Sequence, residues 1–469
     1  MTAAMSIPVS RFTVLAAIAA VLLGGCGNLT KSTYQRPLLD MPAQWRAPVE
    51  TTGESIAQQQ TWWQKFGDPQ LDALIDRALR TNNDLAAAAI RLYSARLQSS
   101  LTDTNLTPDL TISGSRSNAR NLTHGGATQR SSSTTTSIDY EIDLWGRLAR
   151  LREASRWEAE ATEYDRRAAA LTLIGTTATL YWQIAALNGA ARTIDESVAT
   201  TQKTLHLVHV QHEAGEASEF EEAQARAALE SLNGDMTQIV QQLEADRNAL
   251  AILFDQAPSH REPELDGLAI RPMPALPSTL PANLLGRRPD LQAAEARLRE
   301  TLANADATRV SFYPTFSLFG SVGTSGVSLS DILKNPVGTL GTTLSLPFVE
   351  FNTANLTIKS SKATFDLALV NFRQTFYQAL SDTESAIAAC AQSQKEVTAR
   401  KRSLDASRSA ETLAAVRYRA GNTSLTDWLD LQQSRQNAEI QLEQAVYNQY
   451  VNQLTLYLAL GGDLSLAGD

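Results

Sequence analysis

The chain has 469 residues, of which 43% are hydrophobic, only 6% are aromatic and 16 are proline, and its formal net charge is −9. That balance argues against a nucleic-acid-binding protein, because neutralising phosphates needs clustered Lys and Arg. Its two cysteines, Cys26 and Cys390, exclude a disulfide framework and a cysteine-rich zinc site. Long stretches rich in Ala, Leu and Gln and free of Gly and Pro predict long helices.

The N-terminus has the features of a secretory signal. Arg11 precedes an apolar run at 12–23, which ends in Gly24-Gly25-Cys26. This ending resembles a bacterial lipobox, which implies cleavage before Cys26, a covalent lipid on its thiol and, with Gly27 next, an outer-membrane address. The alternative is an ordinary signal peptide followed by an incidental cysteine. We predict a signal peptide at 1–25, a lipidated extended segment at 26–61 and, since no run of 18 apolar residues follows, no transmembrane helix.

The remainder of the chain is an internal duplication. Four pairs of matching residues are each separated by 206 positions: Asp84 and Asp290, Pro108 and Pro314, Gly215 and Gly421, Leu250 and Leu456. A constant offset indicates two copies of one structural unit. We predict a first repeat at 62–257, a linker at 258–289 and a second repeat at 290–469. Each repeat reads as a helix, two strands joined by a polar loop, and two long helices joined by a turn, with Gly215 and Gly421 at the turns.

Period-two alternation predicts four strands. At 134–144 apolar or Thr positions alternate with polar ones, which puts Asp139, Glu141 and Asp143 on one face. Segments 109–115, 315–321 and 342–348 alternate in the same way. An acidic face towards water and an apolar face towards lipid is typical of a membrane barrel. The edge of a soluble sheet would show the same alternation.

Aromatic residues support the membrane interpretation. Those at the strand ends away from the polar loops form a candidate interfacial belt: Trp145, Phe312, Tyr313, Phe348 and Phe351. Four strands are too few to close a barrel, and open sheet edges are not tolerated in lipid. The protein is therefore predicted to oligomerise, although the strand number alone does not fix the number of subunits.

Helices predicted at 147–214 and 353–420 would each be about 100 Å long at 1.5 Å per residue. A stripe of apolar residues at 365, 369, 372, 376 and 380 recurs with helical spacing on the second of them. Such helices need partners along their length, as in a coiled coil.

Several segments together resemble the bacterial outer membrane factors, the TolC-like efflux channels, and particularly their lipoprotein branch. The matching segments are Tyr34 to Pro37, Trp62-Trp63 through Leu71, Asp143 to Arg147, Leu284 to Leu291 with its Arg-Arg-Pro-Asp, and Phe312 to Pro314. The resemblance implies a mainly α fold with a membrane β-barrel. It implies a homotrimer that shares a barrel of twelve strands, four from each subunit, and a helical coiled-coil barrel crossing the periplasm. Its partners would be a periplasmic adaptor, an inner-membrane pump and outer membrane lipid, with no nucleic acid.

The same resemblance suggests a gate. In the family, the helix after the second turn narrows the channel with a carboxylate and a bulky apolar residue one turn earlier. Matching from Gly421 gives Asp430 and Thr426, with Asp427 close by, although Thr426 is smaller than the pattern expects. Three Asp430 carboxylates near one axis would repel unless solvated, bridged by a cation or paired with a base, for which Arg226 and Arg435 are candidates. The alternative is a solvated acidic helix face.

Enzymatic signatures are absent from the sequence. It contains no phosphate-binding Gly-rich loop with Lys, no zinc-protease motif, no Cys-x-x-Cys and no nucleophile elbow. We therefore predict no enzyme activity, no metal and no cofactor apart from the lipid on Cys26. His206, His209 and His212 do not share one helix face, so a three-histidine metal site is excluded, while a pH-sensitive or metal-binding pair stays open. Cys390 is predicted to pack in a core.

The predicted function is a passive outer-membrane duct of a tripartite efflux system that exports drugs and toxic compounds. Two alternatives are a type I protein-secretion conduit and a non-conducting structural envelope lipoprotein. A structural lipoprotein would need neither an acidic channel face nor barrel alternation.

Overall fold

The computed structural model describes residues 30–42, 45–46, 61–120, 122–123, 125, 127–274, 287–327, 334 and 336–462. The predicted signal peptide and the lipidation site Cys26 lie outside these residues. The helices are α1 (Pro69–Thr81), α2 (Asn83–Asp103), α3 (Arg147–Glu213), α4 (Glu219–Leu253), α5 (Pro289–Val310), α6 (Phe351–Arg419) and α7 (Leu425–Ala459). The strands are β1 (Asp109–Ala119), β2 (Gln129–Ile142), β3 (Thr315–Gly326) and β4 (Pro336–Ser345). The fold is therefore mainly helical with a small sheet.

The secondary structure repeats with the offset found in the sequence. Helices α2 and α5 begin at residues 83 and 289, and α3 and α6 end at 213 and 419. Helices α4 and α7 begin at 219 and 425 and end at 253 and 459. Each of these differences is 206 residues. The repeat boundaries at 257 and 290 stay predictions.

The chain divides into two compact units that do not coincide with the sequence repeats. The first comprises 1–39, 91–163 and 293–374, and the second comprises 40–90, 164–292 and 375–469. Each unit thus takes segments from both repeats, because the chain passes through each unit more than once.

The first unit contains one antiparallel sheet in the order β1-β2-β3-β4. All four strands extend further towards the polar loops than the predicted segments do, so the loops that join them are shorter than expected. The prediction of a strand over 342–348 was wrong at its end, where Pro347–Val349 forms a 3-10 turn. Proline cannot donate a ladder hydrogen bond, which accounts for the early end of β4.

Residues 30–36 form an extended segment along α5 in the first unit. Ser32 donates to both carboxylate oxygens of Asp306, each at 2.7 Å, and Arg36 forms an ion pair with Glu295 at 2.8 Å. The Thr30 hydroxyl donates to the backbone oxygen of Trp145 at 2.7 Å. These contacts fix the start of the described chain beside the end of β2.

An aromatic core lies in the second unit. The fully buried Trp62 stacks on Tyr457 with ring centroids 5.3 Å apart, and Phe66 packs against Trp182 at 4.9 Å. Helix α3 contains a window long and apolar enough in composition to cross a membrane, but 67% of that window is buried inside the protein. Most of this window therefore packs against other parts of the protein.

Cys390 provides the first testable prediction. Its thiol donates to the backbone oxygen of Asn452 at 3.2 Å, and burial raises its pKa to about 12. Because the thiolate is the reactive form, Cys390 in the native protein at pH 8 is expected to react with a thiol reagent at least about a hundredfold more slowly than in the unfolded chain. Labelling followed by mass spectrometry of the tryptic peptide measures both rates. Equal rates would contradict the buried position.

Candidate functional site

The register of the sheet sorts its side chains onto two faces. Residues directly opposite each other in a ladder share a face, so Ile138 lies beside Leu110 and Gly320. The apolar face contains Leu110, Ile112, Ile138, Tyr140, Ile142, Phe316, Leu318, Val322, Leu340 and Leu344. The polar face contains Asp109, Thr111, Ser113, Thr135, Ser137, Asp139, Glu141, Ser317, Ser321, Thr339 and Thr343. Ile112 and Leu340 are 73% and 87% exposed, so nothing in the described chain covers the apolar face.

Two of the three predicted acidic residues lie on the polar face, and the third does not belong to the strand. Asp139 is directly opposite Asp109, and Glu141 forms an ion pair with Arg147 at 2.7 Å. The prediction for Asp143 was wrong, because β2 ends at Ile142. Asp143 accepts hydrogen bonds from the backbone N–H groups of Leu148 and Ala149 at 3.0 and 2.8 Å. It satisfies otherwise unpaired donors in the first turn of α3.

Sequence analysis missed one aromatic residue on the polar face. Phe319 lies between Asp139 and Gly341 in the ladder, where the alternation leads one to expect a polar side chain. A Cβ at Gly341 would come within 2.5 Å of the Phe319 ring, so the ring lies over this glycine. The signal that could have identified this pair is the glycine in the neighbouring strand, since an aromatic ring can cover the gap that a strand glycine leaves.

The five residues of the predicted aromatic belt lie where the strands end next to the helices. The Trp145 indole donates to the backbone oxygen of Pro314 at 2.7 Å, and its ring meets Tyr313 edge to face at 5.4 Å. Phe312 is partly buried. Phe348 and Phe351 are 51% and 74% exposed. Their role at a membrane interface stays a prediction.

At the other end of the long helices, the two turns have the same structure. Gly215 and Gly421 have φ values of 78° and 72°, in the left-handed region that glycine adopts without steric cost. The N–H of Gly421 donates to the oxygen of Tyr418 at 2.9 Å, and that of Asn422 to Arg417 at 2.9 Å. Gly215 and Glu216 make the equivalent pair of bonds. This is the Schellman arrangement for ending a helix.

Both following helices begin with a capping box, and Asp427 is part of the second one. Ser424 accepts from the Asp427 N–H, while the Asp427 carboxylate accepts from the Ser424 N–H at 3.3 Å and its hydroxyl at 2.7 Å. The first repeat has the same reciprocal pair in Ser218 and Glu221, 206 positions earlier. The observed role of Asp427 is therefore to cap α7, and a role in the gate stays a prediction. The hydrogen bonds from Ser424, above all that of its hydroxyl, lower the pKa of the Asp427 carboxyl.

The capping box gives a second prediction. Ser424→Ala is expected to lower the free energy of local opening at the start of α7 by about 1 kcal/mol, because it leaves one helix donor without its cap. Hydrogen exchange of the first-turn amides measures this. The protection due to Asp427 should be complete above its ordinary pKa and lost as the pH falls through its lowered value. Gln433→Ala, beyond the first turn, is the control that should change nothing there. Unaltered first-turn exchange in Ser424→Ala would contradict the assignment.

Asp430 and Thr426 share an exposed face of α7. Thr426 donates to Gln224 on α4 at 3.2 Å, and Asp430 has no hydrogen-bond or ion-pair partner within the described chain. Leu425 and Trp428 are buried, and the Trp428 ring packs against Tyr418 in a tilted arrangement with ring centroids 5.1 Å apart, so neither side chain is free to line an aperture.

Both candidate bases for Asp430 are engaged elsewhere. Arg226 pairs with Glu222 at 2.9 Å, and Arg435 pairs with Glu411 and Glu439, each at 2.7 Å. These arginines were predicted as bases on neighbouring helices, but each has a carboxylate partner on its own or a packed helix. Their assignment as partners of Asp430 within one chain was wrong.

The histidines near the first turn have ordinary structural contacts. His209 lies 3.3 Å from Glu222 and 3.5 Å from Glu213, and His212 contacts the backbone oxygen of Ala217 at 3.1 Å. In the part of the chain that the structure describes, no three His, Cys, Asp or Glu side chains gather in a metal-binding arrangement.

Comparisons with known proteins agree along nearly the whole chain. A family model described as outer membrane efflux protein matches residues 74–254 and 280–462. The pyoverdine export outer membrane protein OpmQ of Pseudomonas aeruginosa is 31% identical over 463 residues, covering 95% of this chain and 95% of that protein. The cation efflux system protein CusC of Escherichia coli is 29% identical, covering 94% and 97%. A solved structure of CusC matches with a TM-score of 0.82 at 27% identity, covering 92% of this chain and 99% of that one.

Proposed function

Because the chain belongs to the outer membrane efflux protein family, we propose that it is the outer-membrane duct of a tripartite efflux system, through which small molecules pass passively to the exterior. The observation that carries this proposal is the sheet with one apolar and one polar face, on whose apolar side no layer of the described chain packs. Lipid is the environment that would cover the apolar face, and a water-filled channel would hydrate the polar one. Asp139 and Glu141 would then line the channel.

The free edges of the sheet support a homotrimer. Strands β1 and β4 each have one neighbour in the described sheet, and open edges are not tolerated in lipid. Pairing β4 of one subunit with β1 of the next repeats the same contact around a ring. Three copies of four strands would give the twelve-stranded barrel that the family resemblance implies.

Helices beside these edges carry matching exposed apolar residues. Helix α2 leads towards β1 and has Tyr93, Leu97 and Leu101 at 64%, 47% and 61% exposure, spaced on one face. Helix α6 follows β4 and has Leu356 and Val370 at 66% and 61% exposure. Apolar stripes of this kind need covering, and a neighbouring subunit would continue the contact that begins at the strand edges.

Partners follow from the kind of system in which such channels operate. The names of the relatives include a cation efflux system and a pyoverdine export protein. A periplasmic adaptor would bind the helical end of the trimer, and an inner-membrane pump would deliver the substrate. We propose drugs and other toxic small molecules as the exported class.

A lipid anchor at Cys26 is consistent with where the described chain begins. Thr30 contacts Trp145, in the aromatic belt. Four residues of extended chain reach at most about 14 Å, so an acyl chain on Cys26 would lie close to the inner leaflet on the helix side of the sheet.

Replacing this cysteine gives the third prediction. Cys26→Ser is expected to abolish palmitate labelling while leaving trimers intact, because an acyl chain adds only reversible anchoring whereas subunit pairing covers the barrel edges. Metabolic labelling and native electrophoresis in mild detergent measure the two effects. Monomers in Cys26→Ser would contradict this division of roles, and undiminished labelling would exclude Cys26 as the acylated residue.

Planar-bilayer recording of the purified protein tests the proposed function. We expect discrete single-channel openings, and we expect a deletion strain to become sensitive to toxic small molecules and to recover when the gene is restored. A non-conducting trimer would favour the structural lipoprotein. Loss of a secreted protein without altered drug sensitivity would favour the protein-secretion conduit.

A further inference from the structure

Two arginines interrupt the apolar face of the sheet near the loop that joins β1 and β2. Arg116 is directly opposite Ser132, and Arg130 is directly opposite Asn118. Since Ser132 and Arg130 are two residues apart on the same strand, both arginines point to the same face as Ile112 and Ile138. On adjacent strands they are diagonal neighbours, with Cα atoms roughly 7–8 Å apart. Both are exposed.

The distance of the two arginines from the aromatic belt matches the height of the apolar band of a membrane barrel. The row formed by Ile142, Phe316 and Leu344 lies next to the aromatic belt, and Arg116 lies five rows away along the ladder. Five rows of two residues span roughly 33 Å along a strand, or about 25 Å along the barrel axis when strands tilt by about 40°. That distance equals the height of the apolar band of outer-membrane barrels, about 25 Å. The arginines therefore stand at the interface remote from the helices, where lipid head groups begin.

The hairpin that contains them has basic residues and no acidic ones between its two strands. Residues 110–138 contain Arg116, Arg120 and Arg130 but no Asp or Glu. Neither Arg116 nor Arg130 has an ion-pair partner in the described part of the chain. Two guanidinium groups at diagonal positions repel each other, and more strongly beside hydrocarbon than in water. An anion between them would remove that repulsion.

We propose that Arg116 and Arg130 bind the phosphorylated head group of a lipid in the outer leaflet. The proposal rests on the proposed function, because it requires the apolar face to meet lipid. Guanidinium groups bind phosphate oxygens through two parallel hydrogen bonds, and two of them bind a bis-phosphorylated head group better than a single phosphodiester. The acyl chains of the same molecule would pack on Ile112 and Val322, the first large apolar residues below the arginines on this face. Three equivalent sites would surround the trimer.

Native mass spectrometry of the detergent-purified full-length trimer tests the proposal. The protein is incubated with bis-phosphorylated lipid A, with its dephosphorylated form or with inorganic phosphate, and retained molecules are counted. The Arg116→Gln/Arg130→Gln variant is expected to retain lipid A about thirtyfold less than the wild type, since each basic residue near an anionic surface contributes roughly a fivefold gain. Arg116→Lys/Arg130→Lys should recover most of the retention. The matched control is Arg91→Gln/Arg402→Gln, which removes two exposed arginines from the helices and should bind as the wild type does.

The outcomes separate this inference from the proposed function. Equal retention by the wild type and the Gln variant, or equal retention of dephosphorylated lipid A, would overturn it. Displacement of lipid A by millimolar inorganic phosphate would assign the site to a free ion and would also overturn it. Conductance is recorded on the same preparations. A wild-type trimer that does not conduct would defeat the proposed function, whereas a conducting Gln variant that has lost lipid A supports the site.

Discussion

Ile138→Lys is expected to abolish assembly of the trimer in the membrane. Ile138 lies between Leu110 and Gly320 in the middle rows of the apolar face, where the proposed barrel crosses the bilayer centre. A lysine facing lipid at that depth costs about 2–4 kcal/mol, and the proposed trimer would carry three copies. Tyr140→Lys, one row nearer the aromatic belt, should cost less because its ammonium group can reach the interface. Heat-modifiable mobility on gels and the yield of membrane-extracted trimer measure both.

The adjacent residue provides a matched control. Asp139→Lys makes the same kind of change one position along the strand, but on the polar face. It also replaces a like-charge pair with Asp109 by an opposite-charge pair. We expect normal assembly and a shift of ion selectivity away from cations. Asp139 is a better control than Glu141, whose replacement would also break the ion pair with Arg147. If Asp139→Lys and Ile138→Lys impair assembly equally, the assignment of the two faces is wrong.

Most of the fold was predictable because the residues that end its helices do so through local backbone conformation. Gly215 and Gly421 need a left-handed backbone, so their positions mark the ends of α3 and α6 to within a residue or two. The bounds of β4 were harder to predict. Gly338 and Gly341 have no side chains, so the alternation of apolar and polar residues is not visible at the start of this strand. At its end the apolar residues predicted a strand, but Pro347 begins a 3-10 turn there.

The acidic residues show why functional sites are harder to predict from sequence than helices and strands. Asp143 continues a period-two pattern in the sequence, and Asp427 follows a turn where a gate residue was expected. Both cap helices, since a carboxylate near a helix N-terminus finds unpaired N–H groups. The pairing of Arg435 with Glu411 joins residues on different helices, so it depends on packing that no local pattern records.

The contacts of the residues around Asp430 leave fewer candidates for the gate. Asp427 belongs to the cap, Leu425 and Trp428 are buried, and Arg226 and Arg435 have other partners. Of the residues considered for the gate, Asp430 remains on the exposed face of α7, together with Thr426 one turn before it. Around a three-fold axis, three such carboxylates would have to be solvated or bridged by a cation, because no base among the described residues of their own chain neutralises them.

Asp430→Ala is therefore expected to raise single-channel conductance by about twofold or more and to increase antibiotic leakage into cells, because it removes both the charge and the bulk of a ring at a constriction. Trimer yield should not change, since Asp430 has no hydrogen bond or ion pair in the described chain that its loss would break. Asp430→Asn keeps the bulk and separates the effect of charge, and it should abolish any block of the current by divalent cations. Gln433→Ala lies one turn deeper on the same exposed face and should leave conductance as it is. Unchanged conductance in Asp430→Ala, with normal trimers, would mean that the carboxylate belongs to a solvated helix face and that the narrowest point lies elsewhere.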